Sequence, residues 1–240
     1  MKKLLAILLL IAPFSVYSAG AKVELESADI DLDDVKSIER GAKNYVTYCL
    51  GCHSAKYIRY KRIAIDLGVD ENEVLEDIAP LGAGIYDQMH SAMNKKDAEK
   101  WFGTYPPDLS LIARSRGADW LYTYLKSFYT DPSRPYGVNN RVFEDVGMPN
   151  VLWQLQGEQT AVTKNIDGQE VITKLVSKGD GKMSAKEFDR FVNDLVNFLV
   201  YIGEPVQQER KSMGKYVLFY ILLFTVVAYL LKREYWKDIH

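Results

Sequence analysis

Two cysteines and a histidine lie within five residues of one another, in the run Cys49-Leu50-Gly51-Cys52-His53. Two thiols one helical turn apart can add to the two vinyl groups along one edge of a haem and form thioether bonds. The histidine that follows can then ligate the iron from one face of the ring. This spacing is typical of c-type haem attachment. It predicts one covalently bound haem c, attached to Cys49 and Cys52 and ligated by His53.

Three other roles for this motif fit the sequence less well. A thioredoxin-like Cys-x-x-Cys needs a βαβ context, and no such pattern precedes Cys49. A structural zinc ion needs four ligands, but the chain has two cysteines and its further histidines are His90 and His240. A disulfide between Cys49 and Cys52 leaves the adjacent His53 unexplained. Haem attachment is therefore the favoured interpretation.

The second axial ligand of the iron must come from elsewhere in the chain. The domain between the two apolar ends of the sequence holds four methionines as candidates: Met89, Met93, Met148 and Met183. Met148 lies between a glycine, which permits close backbone approach, and a proline, which favours an irregular turn. Met89 and Met93 are four residues apart, which suits contacts of one helix, and Met183 precedes a helix start, where packing is expected. Met148 is the leading candidate, with His90 as an alternative.

The elements that must position these residues are predicted to be mainly helical and joined by long loops. Asp34 or Ser37 can cap a helix that runs to the haem motif. A short acidic stretch at 70–78 is a helix candidate, and apolar spacing predicts a helix at 118–129. A capping box at 184–187 begins a further helix that runs to residue 203. Two strands, 162–166 and 169–175, flank Asp167-Gly168, a dipeptide that favours a tight turn. The predicted fold is a mainly α c-type cytochrome domain with a small β-hairpin and one C-terminal transmembrane helix.

The two ends of the sequence indicate export and a membrane anchor. A basic start, a short apolar stretch and a small-residue site predict a signal peptide at residues 1–21. An apolar run with flanking lysines is long enough to cross a bilayer. The predicted order is a periplasmic cytochrome c domain at 22–205, a linker at 206–215, a transmembrane anchor at 216–232 and a cytoplasmic tail at 233–240. The protein is expected in the bacterial inner membrane, with its basic tail inside.

The charge is divided unevenly along these boundaries. The 240 residues include 30 basic and 32 acidic ones, a formal net charge of −2. Residues 22–209 contain 22 basic and 30 acidic residues, a net charge of −8, and residues 210–240 have a net charge of +4. The acidic domain argues against nucleic-acid binding and favours a basic protein partner. A mean hydropathy of −0.17 excludes a polytopic membrane protein.

Five stretches along nearly the whole chain after residue 22 carry a family resemblance. They are Arg40-Gly41 with Tyr45 before the haem motif and 57–62 after it; Pro106-Pro107-Asp108-Leu109-Ser110; Arg114-Ser115-Arg116-Gly117; Gly147-Met148-Pro149; and Glu204-Pro205 leading into 210–214 and the apolar run. Together, and in this order, they resemble bacterial members of the cytochrome c1 family, the haem subunits of ubiquinol–cytochrome c reductase (the cytochrome bc complex).

The resemblance implies roles for Met148, Arg116 and Pro107, and it implies a set of partners. Met148 is the axial ligand opposite His53, Arg116 lies near a haem propionate, and Pro107 packs at the haem edge near the histidine. Single electrons pass from a Rieske iron–sulfur protein, beside cytochrome b in the membrane, through the haem to a c-type cytochrome. The subunit itself is expected to be an electron carrier without bond-making catalysis of its own.

Two other functions remain open from the sequence. One is a different membrane-tethered monohaem cytochrome c that serves a terminal oxidase, which co-purifying subunits would distinguish. The other is a haem enzyme or sensor with an open distal position, whose reduced iron binds carbon monoxide readily.

Overall fold

A computed structural model of the protein describes residues 23–166 and 169–237. Within these ranges the chain forms nine helices and six strands. The helices are α1 Val35–Tyr48, α2 Tyr60–Leu67, α3 Glu71–Asp77, α4 Lys95–Phe102, α5 Ile112–Arg116, α6 Ala118–Lys126, α7 Trp153–Gln156, α8 Ala185–Gly203 and α9 Gln207–Tyr235. The strands are β1 Ala55–Arg59, β2 Gln88–Met89, β3 Phe128–Thr130, β4 Val138–Asn140, β5 Gln159–Ile166 and β6 Gln169–Ser177. The predicted signal peptide and the predicted Asp167-Gly168 turn lie outside the described residues.

The core is built around α1 and α8, which pack against each other along their apolar faces. Asp34 caps α1 by accepting a hydrogen bond from the Ser37 amide at 3.0 Å, and the predicted capping box at Ser184 begins α8. Gly41 allows the two helices to approach closely, because a Cβ there would overlap the carbonyl oxygen of Asp194. The prediction of a mainly α fold is confirmed, and this helix contact fixes the end of α1 where the haem motif begins.

The strands pair into three antiparallel two-stranded sheets, β1–β2, β3–β4 and β5–β6. The predicted hairpin is confirmed as β5–β6, which is longer at both outer ends than the sequence indicated. The other two sheets were not predicted. Each contains a strand of only two or three residues, too short for an alternating pattern to be recognised.

The helix predicted at 118–129 ends earlier than expected, at Lys126. The side-chain amide of Asn140 donates to the carbonyl oxygen of Tyr124 at 2.8 Å, an oxygen that a continuing helix would pair with the amide of residue 128. Phe128 instead pairs with Asn140 across β3–β4. Its ring still packs on Tyr124, with centroids 5.2 Å apart, which is why the sequence pattern looked helical.

The expectation that Met89 and Met93 share a helix is also wrong. Met89 lies in β2, fully buried in the core, and Met93 lies in the loop that follows. The next helix, α4, begins after Met93, where Asn94 caps it by accepting from the Lys96 amide at 2.9 Å.

The last described helix, α9, spans 29 residues and continues without a break through the predicted linker and anchor. Among the described residues it is the one helix that is long and apolar enough to cross a membrane, and none of it is buried against the domain. At ~1.5 Å per residue such a helix is about 43 Å long, more than the ~30 Å of a hydrocarbon core. The predicted linker is therefore a helical extension of the apolar segment.

Candidate haem-binding site

The Cys-x-x-Cys-His motif continues the backbone of α1 as a tight turn. The amides of Cys52 and His53 both donate to the carbonyl oxygen of Cys49, at 3.0 and 2.8 Å. The two cysteines do not form a disulfide, and Cys49 is buried while Cys52 is half-buried. Burial raises the pKa of the Cys49 thiol to about 12 and also raises the pKa of Cys52. Both thiols are therefore protonated at neutral pH, unlike the low-pKa cysteine of a disulfide oxidoreductase.

The ring of His53 is oriented by the backbone of a distant segment. Its Nδ1 lies 2.8 Å from the carbonyl oxygen of Pro107. Because a carbonyl oxygen only accepts, Nδ1 carries the proton and Nε2 keeps a free lone pair. Burial lowers the pKa of His53, against the opposing effect of the Pro107 hydrogen bond, so the ring is neutral at neutral pH. This is the tautomer and charge state in which histidine ligates a metal.

Residues 107–110 run alongside the chain that follows the motif and fix its position. The amide of Leu109 donates to the carbonyl oxygen of Ser54 at 2.8 Å, and the Tyr57 amide donates to Ser110 Oγ at 3.1 Å. The hydroxyl of Tyr45 donates to the carbonyl oxygen of His53 at 2.7 Å. The structure thus places Pro107 and His53 together, with the histidine backbone held from α1 and its ring held from the 107–110 segment.

Met148 lies in an irregular loop between β4 and α7, partly buried. Its Sδ accepts a hydrogen bond from the Tyr124 hydroxyl, with the oxygen and sulfur 3.4 Å apart. Tyr124 belongs to α6, where its ring stacks on Trp120 with centroids 4.9 Å apart and an interplanar angle of 9°. Burial raises the pKa of Tyr124, so its hydroxyl stays protonated and remains a donor. The sequence predicted a helix over 118–129, which includes Tyr124, but gave no sign of its contact with Met148.

Side chains rather than regular secondary structure hold the loop that carries Met148. The amide of Asp145, which has a left-handed φ of 60°, donates to Asn139 Oδ1 at 2.9 Å. Arg134 binds Asp145 twice: it donates to the Asp145 carbonyl oxygen at 2.9 Å and pairs with the Asp145 carboxylate at 2.7 Å. Asn140 Oδ1 accepts from the amides of residues 142 and 143. Sequence reasoning missed these residues, although the adjacent Asn139 and Asn140 are a turn-forming signal.

Arg116 lies at the end of α5, exposed to solvent. Its guanidinium stands over the Trp120 ring, 5.1 Å from the ring centroid. Trp120 stacks in turn on Tyr124, so a continuous series of contacts joins Arg116 to Met148. No carboxylate in the described ranges pairs with Arg116, which leaves its charge available to an external acid group.

The other candidate ligands are placed differently. Met89 is fully enclosed by the core, and Met183 packs against the same core at its edge. The exposed ring of His90 is hydrogen-bonded through Nε2 to the Gln88 side chain at 3.1 Å. Met93 is partly buried and follows Ser91, whose hydroxyl donates to the carbonyl oxygen of residue 51 at 2.8 Å. Met93 is thus linked to the haem motif through Ser91, whose hydroxyl oxygen accepts from the Met93 amide at 3.1 Å.

The donors fit a haem better than a bare metal ion. Two thiols, a neutral imidazole with a free Nε2, a thioether and an unpaired guanidinium match the vinyl groups, iron and propionates of a haem. Within residues 23–166 and 169–237, no cluster of three or more His, Cys, Asp or Glu side chains could hold a metal ion alone. The residue types described here thus fit a haem, with the thiols and imidazole in the motif and the thioether and guanidinium in other segments.

Comparison with known proteins gives the family. The model of the Cytochrome C1 family matches residues 29–239. A cytochrome c1 from Allochromatium vinosum is 49% identical over 242 residues, covering 100% of this chain and 99% of that protein. A protein named ammonia monooxygenase gamma subunit from Nitrosomonas europaea is 48% identical over 240 residues, with coverage of 100% and 99%. A cytochrome c1 from Rhodospirillum rubrum is 25% identical over 86% of this chain and 83% of its own length. This chain belongs to the cytochrome c1 family.

Proposed function

We propose that the chain binds one haem c covalently through Cys49 and Cys52, with His53 and Met148 as the axial ligands of the iron. Its family implies a haem cofactor, and the geometry of the motif supports this form of attachment. The observation that carries the proposal is the hydrogen bond from His53 Nδ1 to the Pro107 carbonyl oxygen. That bond leaves Nε2 available beside two thiols that are not joined in a disulfide.

As a member of its family, the chain is the electron-transfer subunit of a ubiquinol–cytochrome c reductase. A bound haem supplies one-electron chemistry. The residues of the chain orient and tune it: Pro107 holds the histidine tautomer, and the thioether of Met148 opposite a histidine favours a high reduction potential. Arg116, with no protein carboxylate in contact among the described residues, is positioned to neutralise a propionate. His53 and Met148 would hold the iron of a bound haem, which would then supply electron transfer rather than substrate binding.

We infer that electrons enter from a Rieske iron–sulfur protein next to cytochrome b and leave to a c-type cytochrome. The support for a basic acceptor is the net charge of −8 on residues 22–209. Attraction between opposite charges speeds encounter, and salt screens it over about 8–10 Å at ordinary ionic strength. The rate of acceptor reduction is therefore expected to fall as ionic strength rises, and a rate independent of salt would contradict a basic acceptor.

The membrane topology is part of the proposal. The protein is membrane-anchored through one apolar helix, α9. The lysine and arginine at 232 and 233 follow the apolar run, which favours a cytoplasmic C-terminus and a haem domain in the periplasm. Protease added to intact spheroplasts should digest the haem domain and leave a C-terminal tag protected. Protection of the haem domain would reverse the orientation.

The decisive experiment is expression of the full chain with a C-terminal tag, followed by gentle detergent extraction. We expect cytochrome b and a Rieske subunit to co-purify, and a haem stain to survive denaturing electrophoresis.

The peptide that contains the motif should gain the mass of one haem, and Cys49→Ser should lose one thioether bond. His90→Ala is the matched control and should keep both bonds. An unmodified motif peptide would overturn haem attachment, and co-purification of terminal-oxidase subunits instead would overturn the assignment to the bc complex.

A further inference from the structure

Resting on the proposed axial methionine, we propose that Tyr124 is a positioning residue that raises the reduction potential of the iron by donating a hydrogen bond to the Met148 sulfur. The hydroxyl and Sδ are 3.4 Å apart, within the range expected for a donor bound to sulfur. Among the described residues this sulfur is the one hydrogen-bond partner of the hydroxyl. The contact therefore has a directional component in addition to packing.

The Tyr124 ring is held independently of Met148. It lies flat on Trp120, at a 9° interplanar angle, and meets the edge of Phe128 at 69°. The backbone carbonyl of Tyr124 is tied to the Asn140 side chain at 2.8 Å. Because helix α6 and these neighbours set the ring, its hydroxyl is a fixed donor to which the methionine loop is fitted.

The chemistry of the thioether allows both interactions at once. A methionine sulfur has two lone pairs, so one can be given to iron while the other accepts a hydrogen bond. The hydrogen bond withdraws electron density from the sulfur and makes it a weaker donor to iron. Electron donation from the sulfur stabilises ferric iron more than ferrous iron. Weaker donation therefore stabilises the reduced state relative to the oxidised state, which raises the reduction potential. Hydrogen bonding to an axial ligand is an established means of setting a haem potential.

The Tyr124 hydroxyl is the last protein group before Met148 in the series of contacts that begins at Arg116. The guanidinium over Trp120 and the stack of Trp120 on Tyr124 limit the freedom of the tyrosine ring. A purely structural tyrosine at this position would need its ring but not its hydroxyl. Removal of the hydroxyl alone therefore separates tuning of the sulfur from packing in the core.

The test is Tyr124→Phe in the full chain, compared with Tyr122→Phe on the same helix. Tyr122 accepts a hydrogen bond from Lys126 at 3.2 Å and is not hydrogen-bonded to Met148. Redox titration of purified complex should show that Tyr124→Phe lowers the equilibrium constant for reduction about threefold, the low end for one hydrogen bond. That fold-change corresponds to about 28 mV for a one-electron couple at ~59 mV per tenfold. The near-infrared charge-transfer band of ferric methionine-ligated haem should shift but persist, and Tyr122→Phe should leave potential and band unchanged.

The outcomes are separable. A wild-type protein without the near-infrared band overturns the axial methionine, and with it this proposal. A wild-type band with an unchanged potential in Tyr124→Phe overturns the role of Tyr124 alone. Loss of the band in Tyr124→Phe, or an equal shift in Tyr122→Phe, also overturns it, because the hydroxyl would then hold the loop or the helix rather than tune the sulfur.

Discussion

The histidine side and the methionine side of the proposed haem site are built in different ways. His53 follows the end of α1 directly, and backbone hydrogen bonds within the motif and to the 107–110 segment fix it. Met148 lies far along the chain in a loop without regular structure, and side chains from β4 and from residue 134 fix that loop. One ligand is thus held mainly through backbone atoms, and the other lies in a loop that side chains hold.

This difference decides where the site tolerates change. Backbone hydrogen bonds persist through most substitutions, since every residue except proline supplies the same amide and every residue supplies the same carbonyl. Side-chain hydrogen bonds are lost with the side chain. Single substitutions on the methionine side should therefore alter the properties of the iron. The histidine side should be sensitive mainly to substitutions that disturb the packing of α1 against α8.

Met148→Ala should have the largest effect. Without the thioether the iron loses its second protein ligand, so the reduced protein should bind carbon monoxide and the near-infrared band should vanish. The potential should fall by about 0.1 V or more, within the ~0.8 V that axial ligands span. Carbon monoxide difference spectra and redox titration measure these changes.

The control for that experiment is Met93→Ala. Met93 is an alternative methionine whose amide donates to Ser91 Oγ at 3.1 Å, and Ser91 donates in turn to the carbonyl oxygen of residue 51 in the motif. The variant should retain the wild-type spectrum and potential. If Met93→Ala opens the iron to carbon monoxide and Met148→Ala does not, the ligand assignment moves to the other loop.

Gly41→Ala should damage the scaffold of the histidine side. An added Cβ would overlap the Asp194 carbonyl oxygen and lie 2.7 Å from Phe198 Cβ, so α1 and α8 must move apart. Overpacking of this kind lowers the free energy of unfolding by about 1–3 kcal/mol. For a domain of this size, each kcal/mol lowers the melting temperature by about 2–4 °C. Thermal unfolding followed by haem absorbance should show a midpoint lower by about 5 °C, with an unchanged near-infrared band at low temperature.

Gly214→Ala is the matched substitution, since it is also helical and a Cβ there has nothing within 4 Å. Its midpoint should equal that of the wild type or exceed it slightly, because alanine favours a helix over glycine. Equal midpoints for the two variants would show that α1 and α8 are not as tightly packed at Gly41 as described.

Arg134→Ala should loosen the methionine side without removing the ligand. It removes one hydrogen bond to the Asp145 carbonyl oxygen and an ion pair with a mostly exposed carboxylate. The free energy of unfolding should fall by about 1 kcal/mol, mostly through the lost hydrogen bond. Without Arg134, Asp145 can leave its left-handed backbone conformation, and the loop that carries Met148 becomes more mobile. Met148 should then leave the iron part of the time, so a measurable fraction of the reduced protein should bind carbon monoxide.

Arg62→Ala gives the comparison, because it breaks an ion pair with Asp66 at 2.6 Å on α2, away from the methionine loop. A smaller loss of stability, about 0.3–0.5 kcal/mol for such a helix pair, is expected without carbon monoxide binding. Carbon monoxide binding equal to wild type in Arg134→Ala, or equal binding in both variants, would show that the loop does not depend on Arg134.

What the sequence could predict depends on whether a feature is set by neighbouring residues or by contacts between separate segments. The caps at Asp34 and Ser184 and the apolar stripe of α8 are local patterns, so they were predicted correctly. The haem motif is also a local pattern, and haem attachment there stays a prediction. The early end of α6 could not be predicted, because it depends on Asn140, which reaches the Tyr124 carbonyl from a separate segment. The contact of Tyr124 with Met148 is long-range in the same sense. Residue 148 was selected from the sequence through its Gly-Met-Pro context and the family resemblance, not through its contacts.

Pro107→Ala should have the smallest effect and gives the sharpest test of the histidine side. The acceptor for His53 Nδ1 is the backbone carbonyl oxygen, which alanine retains, so the potential and the haem spectrum should stay as in the wild type. Loss of the fixed proline φ should lower stability by about 0.4–1 kcal/mol through the unfolded chain. Tyr45→Phe, which removes a side-chain bond to the His53 carbonyl oxygen, should cost about 1 kcal/mol. A changed potential in Pro107→Ala would mean that the proline ring, rather than its carbonyl, holds the histidine, and the two sides of the site would then depend on side chains alike.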